Sequence, residues 1–191
     1  MQKIALIYMG GTFGCIGEPL IPMPEQAFLP LLEKIIPPHL QVECFAAPSI
    51  KDSSACTAVD WQQLIQQIQQ LQHNNYQYFV IIHGTDTLSY AAATLARFLG
   101  DSCHAIITGS QYPLLNVDGN DTREFTDALG NLYLALEQVL KLPEGVYLAF
   151  HQQVFHAQTT LKVHTTELDA FTGIPATKEC LTSTHQFIVK D

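Results

Sequence analysis

Short runs of uninterrupted apolar residues alternate with longer stretches in which apolar residues recur every three or four positions, from Lys3 to His151. The runs KIALIYM (Lys3 to Met9), LQVECFAA (Leu40 to Ala47), YFVIIH (Tyr78 to His83), HAIITGS (His104 to Ser110) and GVYLAFH (Gly145 to His151) predict strands. The continuous apolarity of YFVIIH suits a strand buried on both faces. Between them, PEQAFLPLLEKII (Pro24 to Ile36), AVDWQQLIQQIQQLQ (Ala58 to Gln72), TLSYAAATLARFLG (Thr87 to Gly100) and TREFTDALGNLYLALEQVLK (Thr122 to Lys141) carry helical spacing.

Strand and helix taking turns in this way predicts a doubly wound α/β fold, a mostly parallel sheet with helices on both faces. With 191 residues, one such domain over 1–191 is the expectation. After His151 the alternation fades into a threonine-rich segment, read as a small hairpin with surface loops. The strands are followed by GGTFG, SIKDSSACT, HGTDT, TGSQYP and HQQ. In an open parallel sheet the ligand crevice lies beyond the carboxyl ends of the strands, so these hydroxyl-rich and small residues are expected to converge on one rim.

Composition narrows the ligand. Eighteen acidic against nine basic residues leave a formal charge of −9, and the basic residues are scattered singly. That excludes nucleic acid and anionic membrane surfaces as expected partners and favours a small molecule. The five cysteines show no C-x-x-C spacing and read as reduced thiols, and the eight histidines show no metal-binding spacing. Neither a metal nor a cofactor is expected. The apolar run before the first glycines is too short for a signal sequence, and no segment is long enough to span a bilayer, so the expectation is a cytoplasmic protein.

The rim lacks the common signatures of its fold class. Gly11, Gly14 and Gly17 are spaced G-x-x-G-x-x-G rather than G-x-G-x-x-G, no G-K-[ST] follows, and there is no G-x-S-x-G elbow. Two threonines stand out instead: Thr12 in the glycine turn after the first strand, and Thr85 beside Asp86 after the third. A hydroxyl becomes a nucleophile when a base takes its proton, and a lysine with a tuned pKa can do so; Lys162, in TTLKVHTT, is a candidate. Each feature also has a plainer reading: a tight turn at Gly10–Gly11, a helix cap at Asp86 or Thr87, a solvated surface lysine at 162.

Taken together these residues resemble the bacterial-type L-asparaginases, particularly the cytoplasmic type I branch. GGTFG is similar to the family's G-G-T-I-[AG], DSSACTAVDW to D-S-[SQ]-D-M-T-x-x-D-W, VIIHGTDTLSYAA to V-x-x-H-G-T-D-T-M-x-x-[ST]-A, TGSQYPL to its x-x-P-L segment, and TLKVHTTELDAF to T-K-x-H-T-x-x-x-D-A-F. The matches run in order from about residue 3 to residue 176. The resemblance implies the family's N-terminal α/β domain, flavodoxin- or Rossmann-like, and hydrolysis of a side-chain amide through an acyl-enzyme. It implies Thr12 as a nucleophile candidate, Thr85, Asp86 and Lys162 as a second catalytic set, with either threonine open as the first to attack, and Gly11, Ser53, Ser54, Gly84 and Ser110 as substrate-binding positions.

The chain departs from the family at several points. CIGEPLIPMPEQ holds no tyrosine where relatives carry one that activates the first threonine, Leu20 standing near its place. Ala55 and Cys56 stand where relatives have Asp-Met, and Leu161 where they have threonine. The family's smaller C-terminal domain, which helps complete a neighbouring subunit's site, is expected to be absent, so that either substrate selection is looser or a homodimer closes the crevice differently. The alternative from the same residues is a binding or sensor domain that keeps the rim without turnover.

Overall fold

The computed structural model describes residues 2–176. Ten strands and four α-helices follow in chain order: β1 (Lys3–Tyr8), β2 (Cys15–Ile16), β3 (Ile21–Pro22), α1 (Glu25–Ile35), β4 (Gln41–Ala46), α2 (Ala58–His73), β5 (Tyr78–Ile82), α3 (Leu88–Leu99), β6 (His104–Thr108), α4 (Ala128–Gln138), β7 (Gly145–Phe150), β8 (Gln153–His156), β9 (Leu161–Lys162) and β10 (Phe171–Thr172). Six strands form one sheet in the order β4-β1-β5-β6-β7-β8, parallel except for the β7–β8 pair. The predicted doubly wound sheet is therefore present, and its five parallel strands are the five runs predicted.

Alternation along each strand divides the core into two layers. Ile4, Leu6 and Tyr8 of β1 pack with Phe28 and Leu32 of α1 and with Leu132 and Leu136 of α4, while Ala5, Ile7 and Met9 pack with Leu64 and Ile68 of α2 and Leu95 of α3. Central strands are apolar at every position because both faces are covered. Each such side chain, fully buried, contributes roughly 1.5–3 kcal/mol.

The chain leaves β1 for β4 on one side and returns to β5 on the other, so the strand order reverses between β1 and β5. In sheets of this type the loops leaving adjacent strand ends at such a reversal generally diverge and open a crevice. One crossover breaks the pattern. Helices α2 and α3 share one face, while α4, on the path from β6 to β7, lies on the face of α1 although that step continues in the direction of β5 to β6. It therefore has the opposite hand from the other three connections, against the strong preference for right-handed crossovers.

That crossing explains where the predicted helix over Thr122 to Lys141 falls short. It begins only at Ala128, because residues 109–127 must first span the rim. There Leu114 N–H donates to Phe13 O and Gly17 N–H to Val117 O, while Leu115 and Thr122 form an isolated bridge. The Asp127 carboxylate turns back to accept Gln111 N–H and Tyr112 N–H, both at 2.9 Å. The segment after His151 contains the short antiparallel pair β9–β10, and its first strand, β8, returns along β7 through a two-residue turn at His151 and Gln152, at φ 46° and 62°. Cys15, Cys44, Cys56 and Cys103 are free thiols, and Cys180 lies outside the described residues.

Ile81, fully buried in β5, packs into the α2–α3 layer. Ile81→Ala is expected to lower stability by about 2–5 kcal/mol, read as a lower urea midpoint.

Candidate active site

Three loops meet where the strand order reverses, and glycine makes the meeting sterically possible. Gly10 and Gly11 have φ of 100° and 81°, a region that favours glycine. A Cβ on Gly11 would sit 2.4 Å from the Gly84 Cα, and one on Gly10 would sit 2.5 Å from the Lys51 carbonyl oxygen. Gly84 in turn has room for no side chain, because a Cβ there would lie 2.5 Å from Ser53 Oγ. The turns after β1, β4 and β5 are thus pressed together, with Thr12 opening a short helical turn over Thr12–Gly14.

A cavity of about 210 Å³ opens between them, and Gly11, Thr12, Ser53, Gly84, Thr85, Asp86 and Lys162 all line it. Lys162 reaches it from β9, outside the main sheet. Its Nζ donates to Thr85 Oγ1 and to Asp86 Oδ1, each at 2.9 Å. Lysine 162 is largely buried, with 16% of its side chain exposed, whereas Asp86 is 57% exposed. The ammonium therefore sits inside the wall and the carboxylate faces water. Residues 85 and 86 immediately precede α3, where the helix N-terminus favours negative charge.

The loop after β4 is locked from two sides. Ser53 Oγ accepts Asp86 N–H at 3.2 Å, which leaves its own proton free to donate into the cavity, and Ser53 O accepts the Thr87 hydroxyl at 2.8 Å. Asp52 accepts both the N–H and the hydroxyl of Ser54 at 2.8 Å. The Ser54 N–H, more than any other group, holds the Asp52 carboxyl below its ordinary value. Behind this loop the buried Asp60 carboxylate pairs with Lys51 Nζ at 2.9 Å and accepts Thr57 N–H and its hydroxyl at the start of α2. Lys51 is the main cause of the strong depression of the Asp60 pKa, which burial opposes.

His83, which precedes Gly84, is structural. Its Nδ1 lies 2.8 Å from Gly84 O and its Nε2 accepts Trp61 Nε1–H at 3.1 Å, so the ring is neutral with the proton on Nδ1. Burial lowers its pKa accordingly.

Two of the sequence-predicted positions stand apart from the cavity lining. Ser54 is exposed and its hydroxyl is committed to Asp52; Ser110 is buried and its hydroxyl donates to Tyr112 O at 2.6 Å. Three lining residues were not singled out from the sequence: Asp52, Gln111 and Thr165. Each lies in a stretch already marked by a motif, beside Ser53, beside Ser110 and three residues beyond Lys162, but side chains of such common type carry no signal until the loops are folded. Leu20 is exposed between β2 and β3. Among the described residues no group of three or more His, Cys, Asp or Glu is placed to hold a metal ion, and no helix is long and apolar enough to cross a membrane.

Comparison with known proteins bears on this geometry. The family model for asparaginase, N-terminal, matches residues 3–188. The chain is 31% identical over 192 residues to L-asparaginase 1 of Escherichia coli (strain K12), covering 90% of this chain and 51% of that protein. It is 32% identical over 183 residues to a probable L-asparaginase of Deinococcus radiodurans, covering 92% and 52%. The crystal structure of L-asparaginase I from Vibrio cholerae superposes with a TM-score of 0.75 at 28% identity, over 91% of this chain and 52% of that one. The chain thus spans about half the length of the curated relatives it matches.

Two outcomes follow from the packing of the rim. Gly11→Ala is expected to destabilise the fold by roughly 1–3 kcal/mol, since it adds both φ strain and overlap with Gly84, measured by thermal unfolding against a Gly130→Ala control, where a Cβ meets nothing within 4 Å. Because the Asp60 pKa is depressed on folding, its contribution is present above the ordinary carboxylate range, near pH 4, and is lost as pH falls below it. Wild type should therefore lose stability between about pH 5 and pH 3 more steeply than Asp60→Asn, read from urea midpoints across that range.

Proposed function

The chain belongs to the asparaginase N-terminal family, and on that premise we propose that its rim hydrolyses the side-chain amide of L-asparagine, or of a related amide, to L-aspartate and ammonia through a threonine acyl-enzyme. The observation that carries this reading is the position of Lys162 Nζ, 2.9 Å from both Thr85 Oγ1 and Asp86 Oδ1, in the wall of the cavity that Thr12 also lines.

In this reaction Thr12 Oγ1 attacks the amide carbon, its proton passing by way of Thr85 to Lys162 in its amine form and from there to the leaving nitrogen, and the carbonyl oxygen becomes an oxyanion. Backbone N–H groups of Gly11 and Thr12, brought close by the glycine turn, stabilise that charge. Collapse of the intermediate breaks the carbon–nitrogen bond, the nitrogen leaves as ammonia after gaining a proton, and an ester to Thr12 remains. Water then attacks the ester, its proton passing through Thr85 to Lys162 in its amine form, and that proton returns to Thr12 Oγ1 as aspartate leaves. Asp86 keeps Lys162 oriented on Thr85. Ser53 supplies its free proton to the substrate's α-carboxylate, with Ser54 and Ser110 shaping the loops on either side, and the Asp52 and Asp86 carboxylates face its ammonium group. Gly11 and Gly84 let the main chain approach the reacting carbon.

The same reading has the protein act in the cytoplasm as a homodimer. Tyr90, Leu161 and Val163, large and exposed beside the rim, form the surface that a second copy would cover.

Ammonia release from asparagine, glutamine and simple amides tests the proposal. Thr12→Ala and Thr85→Val should each lower kcat/KM by about three orders of magnitude or more. Rates equal to wild type in both variants would overturn it. Thermal stabilisation by aspartate with no ammonia released would instead mark a binding domain.

A further inference from the structure

Gln111 lies directly after the β6 turn and is held from both ends. Its backbone N–H donates to Asp127 Oδ2 at 2.9 Å. Its side-chain nitrogen donates to two carbonyls of the segment that follows Lys162, Thr165 O at 3.1 Å and Glu167 O at 2.8 Å. A carboxamide nitrogen only donates and a carbonyl only accepts, so these two contacts fix which way the amide faces. Its oxygen is then the atom turned to Thr85, 3.4 Å from Oγ1. An amide oxygen can only accept, so the Thr85 hydroxyl hydrogen points at Gln111 while its lone pairs face Lys162 Nζ at 2.9 Å.

We infer that Gln111 is a positioning residue: one side chain clamps the Lys162-bearing segment to the end of β6 and at the same time orients the Thr85 hydroxyl. The clamp stands on the hydrogen bonds alone, whereas its kinetic consequence rests on the amidohydrolase reading. A shift of about 1 Å in the pairing of catalytic groups costs on the order of a hundredfold in rate. Loss of the clamp therefore appears in kcat, not in substrate binding. Replacing the amide by a carboxylate tests the electrostatics separately: Gln111→Glu removes both donors and adds a negative charge to the cavity that Lys162 lines, which favours the ammonium form over the amine.

The experiment compares wild type, Gln111→Met and Gln111→Glu by amide hydrogen exchange and by steady-state ammonia release across pH. Exchange in peptides spanning residues 163–169 should speed up by about tenfold or more in both variants, with β5 and α3 unchanged. The kcat of Gln111→Met should fall by about 10- to 100-fold with KM within threefold of wild type, and the acidic limb of kcat for Gln111→Glu should move to higher pH, because the pair must accept a proton. Unchanged exchange over 163–169 overturns the clamp whether or not the protein turns over. Faster exchange with wild-type kcat overturns the positioning role. Faster exchange with no ammonia released by wild type supports the clamp and overturns the amidohydrolase reading instead. Should Gln111→Met fail to fold, the exchange of Gln111→Glu decides the clamp.

Discussion

Two glycine backbones set the geometry on which the rest of the site depends. Gly11 and Gly84 end neighbouring strands of the sheet, and their main chains approach so closely that a methyl group on Gly11 would overlap the Gly84 Cα. In a doubly wound sheet the loops at the reversal of strand order normally diverge, leaving a crevice wide enough for a nucleotide. Here they converge. The crevice shrinks to about 210 Å³ bounded by hydroxyls, carboxylates and one ammonium, which suits a small, charged, hydrogen-bonding ligand and leaves no apolar floor for a planar base.

The convergence also decides which side chains can cooperate. With the first and third loops in contact, Thr12 and Thr85 line one space although 72 residues separate them (85 − 12 − 1). Ser53 is tied by its oxygen atoms to the start of α3, so the second loop cannot withdraw without breaking bonds to Asp86 and Thr87. The buried Asp60–Lys51 pair secures the same loop from behind. A buried ion pair of this kind is weak as a source of net stability, because desolvation offsets much of the attraction, but removal of either partner strands a charge. Its value here is to hold one loop in one place.

Much of this was legible in the sequence, for identifiable reasons. The central parallel strands announce themselves because burial on both faces makes them almost continuously apolar, the edge strand β4 because apolar residues follow its exposed Gln41 and Glu43, and the helices because one face alone is buried, as in the Leu64, Ile68 and Leu71 stripe of α2. The site residues were legible because the loops are punctuated by glycine beside a hydroxyl, as at Gly11–Thr12 and Gly84–Thr85. What could not be read depends on contacts between distant residues. Residues 122–127 carry helical spacing yet stay out of α4, since Asp127 is spent on the backbone of residues 111 and 112. The His151–Gln152 turn uses left-handed conformations without glycine or asparagine, and Asn131, accepting the His151 N–H at 2.9 Å, supplies support that no local pattern reveals.

The crossover of opposite hand ties these points together. A right-handed step from β6 to β7 would place its helix on the α2–α3 face and carry the intervening chain away from β1. Crossing the other way draws residues 109–127 over the carboxyl ends of the strands, where Leu114 pairs with Phe13 and Gln111 meets both Thr85 and the segment after Lys162. Lys162 itself belongs to a two-stranded ribbon outside the main sheet, paired through Phe171 of β10. Just past β10 the chain is tied to the edge of the sheet, where His156 N–H of β8 donates to Ile174 O at 2.9 Å and Ala176 N–H to Val154 O at 2.8 Å. The unusual crossing sets the Gln111 carboxamide against the segment that follows Lys162, whose ammonium reaches Thr85, so among the described residues the topological exception in the fold coincides with the cation that lines the cavity.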